Sequence, residues 1–156
     1  MVRLYLPVLA LAAASAFASP FPRGCEVTGF SFTQNYLTLN ESGQQTFYLL
    51  QNRSNRPIGI RRVETSDEFM TPSLDVALAP DAWAAFASDV QSMYFECFTQ
   101  DADNETPGSC RELLEICQYP RVRFALSNMG NYWVSANKSQ QEIIQDAVAK
   151  GIYLRW

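Results

Sequence analysis

Apolar and polar positions alternate over short stretches for most of this chain. Val122, Phe124 and Leu126 alternate with Arg121 and Arg123; Leu74, Val76 and Leu78 with Asp75 and Ala77; Ile58 and Ile60 with Gly59 and Arg61. Met93, Phe95 and Cys97 define another such face. A period of two is the signature of a strand with one buried face. Segments 29–32 and 36–39 are rich in aromatic and β-branched residues and also read as strands. Segment 46–50 is apolar on both faces, which predicts a central strand. Turn chemistry separates these runs. Asn40-Glu41-Ser42-Gly43 is a turn cluster, and 52–57 is a loop ending in Pro57, where no ladder donor is needed. Pro80-Asp81 turns the chain into a strand over 83–87. Asn128-Met129-Gly130-Asn131 suits a tight hairpin joining 122–126 to 132–136, with Gly130 free to take a positive φ. Segments 64–73 and 99–110 read as loops.

The period changes near the end. Ser139 followed by Glu142 is a capping-box pattern, and Ile143, Ile144, Ala147 and Val148 fall on one helical face. Gly151 sits where a glycine terminates a helix, and 152–156 is strand-like again. About seven to nine short strands with one late helix predict a mainly β fold, an immunoglobulin-like β-sandwich with one C-terminal helix.

The first residues follow other rules. Arg3, a short apolar run over 4–14 and Ala16-Phe17-Ala18 match a secretory signal, which places signal peptide at 1–18 and a single domain at 19–156. That run is too short for a comfortable membrane span, and no later stretch qualifies, so no integral membrane segment is expected after cleavage. Pro22-Arg23-Gly24 before Cys25 is not a lipidation signal. The expected location is the periplasm, or secreted or at the cell surface.

Four cysteines suit that compartment. Cys110 and Cys117 would lie about 23 Å apart if extended and about 10 Å apart on a helix, both beyond the roughly 7 Å limit for a bridge. Cys97–Cys110 with Cys25–Cys117 is preferred, since it closes a polar loop and ties down the N-terminus. Cys97–Cys117 with Cys25–Cys110 stays open. No C-x-x-C pair favours zinc.

Composition then narrows the chemistry. There is no histidine among 156 residues, so Ser–His–Asp triads, Cys–His pairs and imidazole acid–base chemistry are excluded. The formal charge of −4 argues against a nucleic-acid partner. Asp101, Asp103, Glu105, Ser109 and Glu112 match part of a calcium-loop spacing, but Thr106 stands where the turn needs glycine. A solvated acidic hairpin tip is the more ordinary reading. Glu26, Asp75, Glu96 and Glu115 are acidic residues near apolar ones, without a local pattern that pairs them for glycoside hydrolysis. No G-x-S-x-G, phosphate-loop or S-x-x-K motif is present, and no cofactor is implied. Sequons occur at Asn40, Asn52, Asn104 and Asn137.

Arginines gather at Arg53, Arg56, Arg61 and Arg62 and again at Arg121 and Arg123. Should the two groups adjoin, a basic face results. Arg61, Arg62, Arg121 and Arg123 with Tyr119, Tyr132 and Trp133 form the candidate interaction surface, because Arg, Tyr and Trp dominate binding hot spots. The ordinary alternative is a charged outer face over core aromatics.

The export signal, Tyr48-Leu49-Leu50-Gln51-Asn52-Arg53-Ser54-Asn55, the Cys97, Cys110 and Cys117 spacing and Gly130-Asn131-Tyr132-Trp133 together resemble the enhanced entry protein EnhB family of Legionella-type intracellular bacteria. The resemblance spans nearly all of 19–156. It implies an exported protein associated with host-cell entry and carries no catalytic residues. The expectation is a non-enzymatic protein acting through a protein partner in the envelope or host. The alternative is a periplasmic inhibitor of a cell-wall lytic enzyme, of the lysozyme-inhibitor type.

Overall fold

A computed structural model describes residues 20–39, 45–63, 75–89, 92–124 and 132–154. The expected signal peptide, the turns at 40–43 and 128–131 and the loop at 64–73 lie outside the described residues. The chain is mainly β, and all strand pairs among the described residues are antiparallel. The first sheet contains β1 (Phe30–Thr33), β2 (Tyr36–Leu39), β4 (Ile58–Arg62), β5 (Asp75–Leu78), β7 (Met93–Asp101) and β8 (Asn104–Gly108). Its order is β1-β2-β7-β4-β5, with β8 beside the second half of β7. The second sheet contains β3 (Thr46–Asn52), β6 (Trp83–Ser88), β9 (Leu114–Tyr119) and β11 (Tyr132–Lys138), in the order β11-β6-β3-β9. A short ribbon pairs β10 (Val122–Arg123) with β12 (Tyr153–Leu154). The helices are α1 (Cys110–Leu113) and α2 (Gln140–Ala149).

The two sheets meet across one apolar layer. Leu37, Leu39, Ile58, Ile60, Leu78 and Phe95 from the first face Tyr48, Leu50, Phe86 and Ile116 from the second. Strand β3 pairs with β6 in one sheet while their successors β4 and β7 pair in the other. This is the B–E and C–F arrangement of immunoglobulin-like sandwiches, and β8 takes the place of G beside β7. The edges depart from that fold: β9 and β11 hold the positions that strands A and D would take.

A second apolar layer covers the other face of the β3 sheet. Phe47, Leu49, Trp83, Ala85, Cys117, Tyr119 and Trp133 pack under Ile143 and Ala147 of α2, Phe124 and Ile152. Strand β3 is therefore buried on both sides, which is why its sequence lacks alternation. Helix α2 carries the expected capping box: the Glu142 amide donates to Ser139 Oγ at 3.3 Å and the Ser139 amide to Glu142 Oε2 at 2.9 Å. It ends in a Schellman turn, with Gly151 at φ 79° and the Ile152 amide donating to Ala147 O. Its buried stripe is narrower than the periodicity implies, because Val148 faces solvent at 59% exposure.

Two expectations change, and β9 is a strand that no periodicity announces. The 99–110 loop is largely a hairpin, β7 turning into β8 at Ala102-Asp103. Strand β9 has no alternating signature, because it lies between both apolar layers. Segments 122–124 and 132–136 do not form a hairpin: β10 pairs with β12 and β11 with β6.

The disulfides are Cys97–Cys110 and Cys25–Cys117, with Cα separations of 5.2 and 5.4 Å. The second holds the N-terminal segment against β9, where Glu26 and Gln118 exchange backbone hydrogen bonds at 2.7 and 2.8 Å. Phe21 then packs edge-on against Trp83.

Candidate functional site

Two outer surfaces collect the polar chemistry. The first is the solvent face of the first sheet. Along β7, side chains alternate so that Met93, Phe95 and Cys97 point into the core and Tyr94, Glu96 and Phe98 point out. Register places Gly59 of β4 beside Phe98 and Arg61 beside Glu96, with Asp75 of β5 on Arg61's other flank. Pro107 of β8 sits across from Phe98.

Gly59 is required here. A Cβ at that position would lie 2.1 Å from Phe98 Cζ, so the phenyl ring occupies the space that a side chain would fill. The Arg61 guanidinium covers the ring, 4.5 Å from its centroid. Phe98 is consequently buried although it stands on an outer face. Arg61 reaches across β7 to Glu105 of β8, donating from Nη2 to Oε1 at 3.0 Å and from Nη1 to Oε2 at 3.3 Å. Asp75 and Glu96 approach the same guanidinium at 3.6 Å. The hydrogen bond to Glu105 and the three carboxylates raise the Arg61 pKa above its ordinary value.

Beside this network lies a cleft of about 280 Å³. Its floor is Glu96, Cys97 and Phe98, one wall is Glu105, Pro107 and Gly108, and the other is the β1–β2 turn with Gln34, Asn35 and Tyr36. Gln34 holds a left-handed φ of 55°. The Cys110 amide donates to Asn35 O at 3.2 Å, which latches the turn to α1 next to the Cys97–Cys110 bridge. Tyr36 and Tyr94 are 41% and 42% exposed.

The second surface is the β10–β12 ribbon. Val122 and Leu154 pair across it and face the core, as does Phe124. Arg121 and Arg123 alternate with them and are exposed. Arg123 stands opposite Tyr153, itself 64% exposed. Cross-strand neighbours of this kind lie about 5 Å apart at Cβ.

The structure does not gather the seven surface candidates into one patch. Arg121 and Arg123 share an exposed face as their alternation predicts. Arg61 is on the first sheet, away from the ribbon, with its charge taken up by carboxylates. Arg62 is buried on the opposite side of β4 from Arg61, because adjacent strand residues face opposite ways. Tyr119 is buried against Phe47, and burial raises its hydroxyl pKa. Trp133 is buried and stacked on Phe47, and Tyr132 is half-buried and stacked on Phe86. The exposed aromatic beside the arginines is Tyr153, which its place in the strand-like tail did not single out. Tyr36 is likewise marked by its sequence only as part of a strand.

Of the remaining acidic candidates, Asp75, Glu96, Glu105 and Glu115 are held in ion pairs with arginines. Of the calcium-loop residues, Asp101 ends β7, Asp103 lies in the hairpin turn, Glu105 turns to Arg61, and Ser109 and Glu112 lie at and within α1 beyond the extended β8. Among the described residues, no three His, Cys, Asp or Glu side chains gather as a metal-binding group. Glu115 pairs with Arg53 at 3.4 Å, and Asp75 and Glu96 share Arg61. Glu26 is exposed beside Gln118.

Of the sequons, Asn52 is buried. It ties the end of β3 to two loops: Nδ2 donates to the carbonyls of Arg56, Leu78 and Ala79, and Oδ1 accepts from the amide and hydroxyl of Ser54. Asn137 Oδ1 accepts from the Ala79 amide, and Asn104 is exposed on β8. Comparison with family models, curated proteins and solved structures gives no match to this chain.

Proposed function

We propose that this chain is an exported, non-enzymatic binding module that acts through protein–protein contact and supports host-cell entry, as its resemblance to the enhanced entry proteins implies. Two disulfides suit an oxidising compartment. Among the described residues, no helix is long and apolar enough to cross a membrane. The observation that carries the reading is the ribbon face. Arg121, Arg123 and Tyr153 stand together in solvent on a strand pair anchored to the core by Val122, Leu154 and Phe124. Arginine forks recognise carboxylates and phosphates in two-point fashion, and a tyrosine beside them adds rigid contact area. The partner is therefore an envelope or host protein presenting acidic groups.

The test is co-purification from a native periplasmic and envelope extract. Wild-type protein retains a partner that the Arg121→Glu/Arg123→Glu variant loses. An identical set of retained proteins for the two would remove this surface from the proposal.

A second reading draws on the β7–β8 hairpin, whose residues 101–106 are all exposed and include Asp101, Asp103 and Glu105. A projecting acidic hairpin on a disulfide-bonded scaffold suits an inhibitor of a cell-wall lytic enzyme. Lysozyme clearing of a cell suspension, with and without the protein, decides it; no protection removes this reading.

A further inference from the structure

We infer that the cleft beside Arg61 is a glycan-binding site that seats one or two neutral sugar rings against Tyr36, apart from the arginine face of the ribbon. A pyranose has an apolar C–H face and a rim of hydroxyls that both donate and accept. Tyr36 supplies a partly exposed ring at the cleft, and Tyr94 stands further along the same sheet face, opposite Thr38. Gln34 and Asn35 bring amide groups that donate and accept, while Glu96 and Glu105 bring acceptors.

The charge pattern selects against an anion, and the covered ring leaves a cation no face of Phe98 to stack on. An anion would meet Asp75, Glu96 and Glu105, the three carboxylates grouped around Arg61. A cation would meet one guanidinium among three carboxylates, a net negative charge that hexalysine tests, but the face of Phe98 that it would stack on is already covered by that guanidinium. A neutral polyol needs neither charge. It can use the outward lone pairs of carboxylates that Arg61 holds in place, side chains that remain 45% exposed at Glu96 and 48% at Glu105.

The walls are also fixed before any ligand arrives. The floor strand β7 is bridged to α1 by Cys97–Cys110, the turn carrying Tyr36 is bonded to the Cys110 amide, and Arg61 ties β4 to β8. Such preorganisation lowers the ordering cost of binding. The cleft volume is slightly below the roughly 300–1,000 Å³ of drug-sized ligand pockets, which suits a sugar unit or two of a longer chain.

Titration calorimetry of the disulfide-bonded exported protein tests this. The probes are neutral hexasaccharides of β-linked glucose, β-linked N-acetylglucosamine and α-linked mannose, with hexalysine as a cation of comparable length. At least one hexasaccharide binds with a Kd of about 0.1–1 mM, and Tyr36→Ala weakens it by about tenfold or more. Glu96→Gln also weakens it, whereas Arg121→Glu/Arg123→Glu leaves it unchanged. Both Tyr36 and Glu96 lie on the solvent face, and circular dichroism melts of the variants confirm that they fold. The inference is overturned if no hexasaccharide binds below about 10 mM, if hexalysine binds and the sugars do not, or if Tyr36→Ala binds as wild type. An identical set of retained proteins for wild type and Arg121→Glu/Arg123→Glu, with sugar binding intact, would instead count against the protein-partner reading alone.

Discussion

Replacing Asn52 with alanine removes one amide from a crowded corner of the fold. That amide donates at 2.7 Å to Arg56 O and at 3.1 Å to both Leu78 O and Ala79 O. Its oxygen accepts at 2.9 Å from the Ser54 amide and at 2.7 Å from the Ser54 hydroxyl. The Arg56 and Ser54 bonds shape the loop between β3 and β4, while those to Leu78 and Ala79 hold the turn between β5 and β6. A net hydrogen bond is worth about 1 kcal/mol, and a buried polar group left unpaired costs about 1–3 kcal/mol. Water reaches the exposed Arg56 and Ala79 positions more readily than the buried contact at Leu78 O. The expected loss is therefore about 3–5 kcal/mol, a large share of the roughly 5–15 kcal/mol that a domain has. It lowers the melting temperature of the oxidised protein by about 10–15 °C. Asn104→Ala is the control: its sequon is exposed on β8, and its effect stays within about 0.5 kcal/mol.

Asn52→Asp separates hydrogen bonding from packing. The new carboxylate faces three carbonyl oxygens, so its charged form is disfavoured and its folded-state pKa is raised. The native state then binds more protons than the unfolded one, and stability is recovered as pH falls and declines as pH rises through the folded pKa. Thermal melts by circular dichroism at pH 4 to 8 measure both effects. An Asn52→Ala melting point within about 2 °C of wild type, with no pH dependence in Asn52→Asp, would refute the reasoning.

Gly59→Val drives a side chain into the space taken by Phe98, at 2.1 Å from Cζ before any relaxation. It destabilises the protein by about 1–3 kcal/mol in urea melts, and Gly59→Ala acts in the same direction. Cys25→Ser/Cys117→Ser opens a bridge spanning 92 residues and costs about 2–5 kcal/mol in reversible unfolding. It also frees Phe21 from Trp83, read as a red shift in tryptophan emission. Asp146 accepts from Lys138 and Ser135, and these hydrogen bonds lower its pKa. A depressed acid stabilises the fold above its unfolded pKa, and that contribution is lost as pH falls through the folded pKa. The melting-point difference between wild type and Asp146→Asn is thus full at neutral pH and shrinks below about pH 4. A difference constant down to pH 2 would count against it.

The elements with a single local cause were readable in the amino-acid order. Alternation marked β4, β5, β7 and β10, and Ser139 with Glu142 marked the start of α2. Cysteine spacing left two pairings, with a preference for the one the fold adopts. Strand β9 escaped because two apolar layers cover it, so its pattern carries no period of two. The expected pairing of 122–124 with 132–136 differs for another reason. Neighbouring strands in sequence are the default partners, but here each pairs with a strand distant in sequence, β11 with β6 and β10 with β12.

The surfaces show the same division. Strand alternation put Arg121 and Arg123 on one exposed side, whereas Arg61 and Arg62, expected on one surface, face opposite ways as adjacent strand residues. Which aromatic stood beside the arginines depended on the pairing of Arg123 with Tyr153, thirty positions away. Whether Tyr119 and Trp133 met solvent depended on the second apolar layer that α2 and the ribbon lay over them. Asn52 looks the same as Asn104 in its sequon, yet one closes a buried network and the other faces water. The sequence determined the β class, the late helix, the absence of imidazole chemistry and a disulfide-compatible composition, because each depends on residue type or short spacing. Only the tertiary structure decided which charges are neutralised, which aromatics are exposed and where a cleft forms, because burial and electrostatic pairing depend on residues that the chain brings together from far apart.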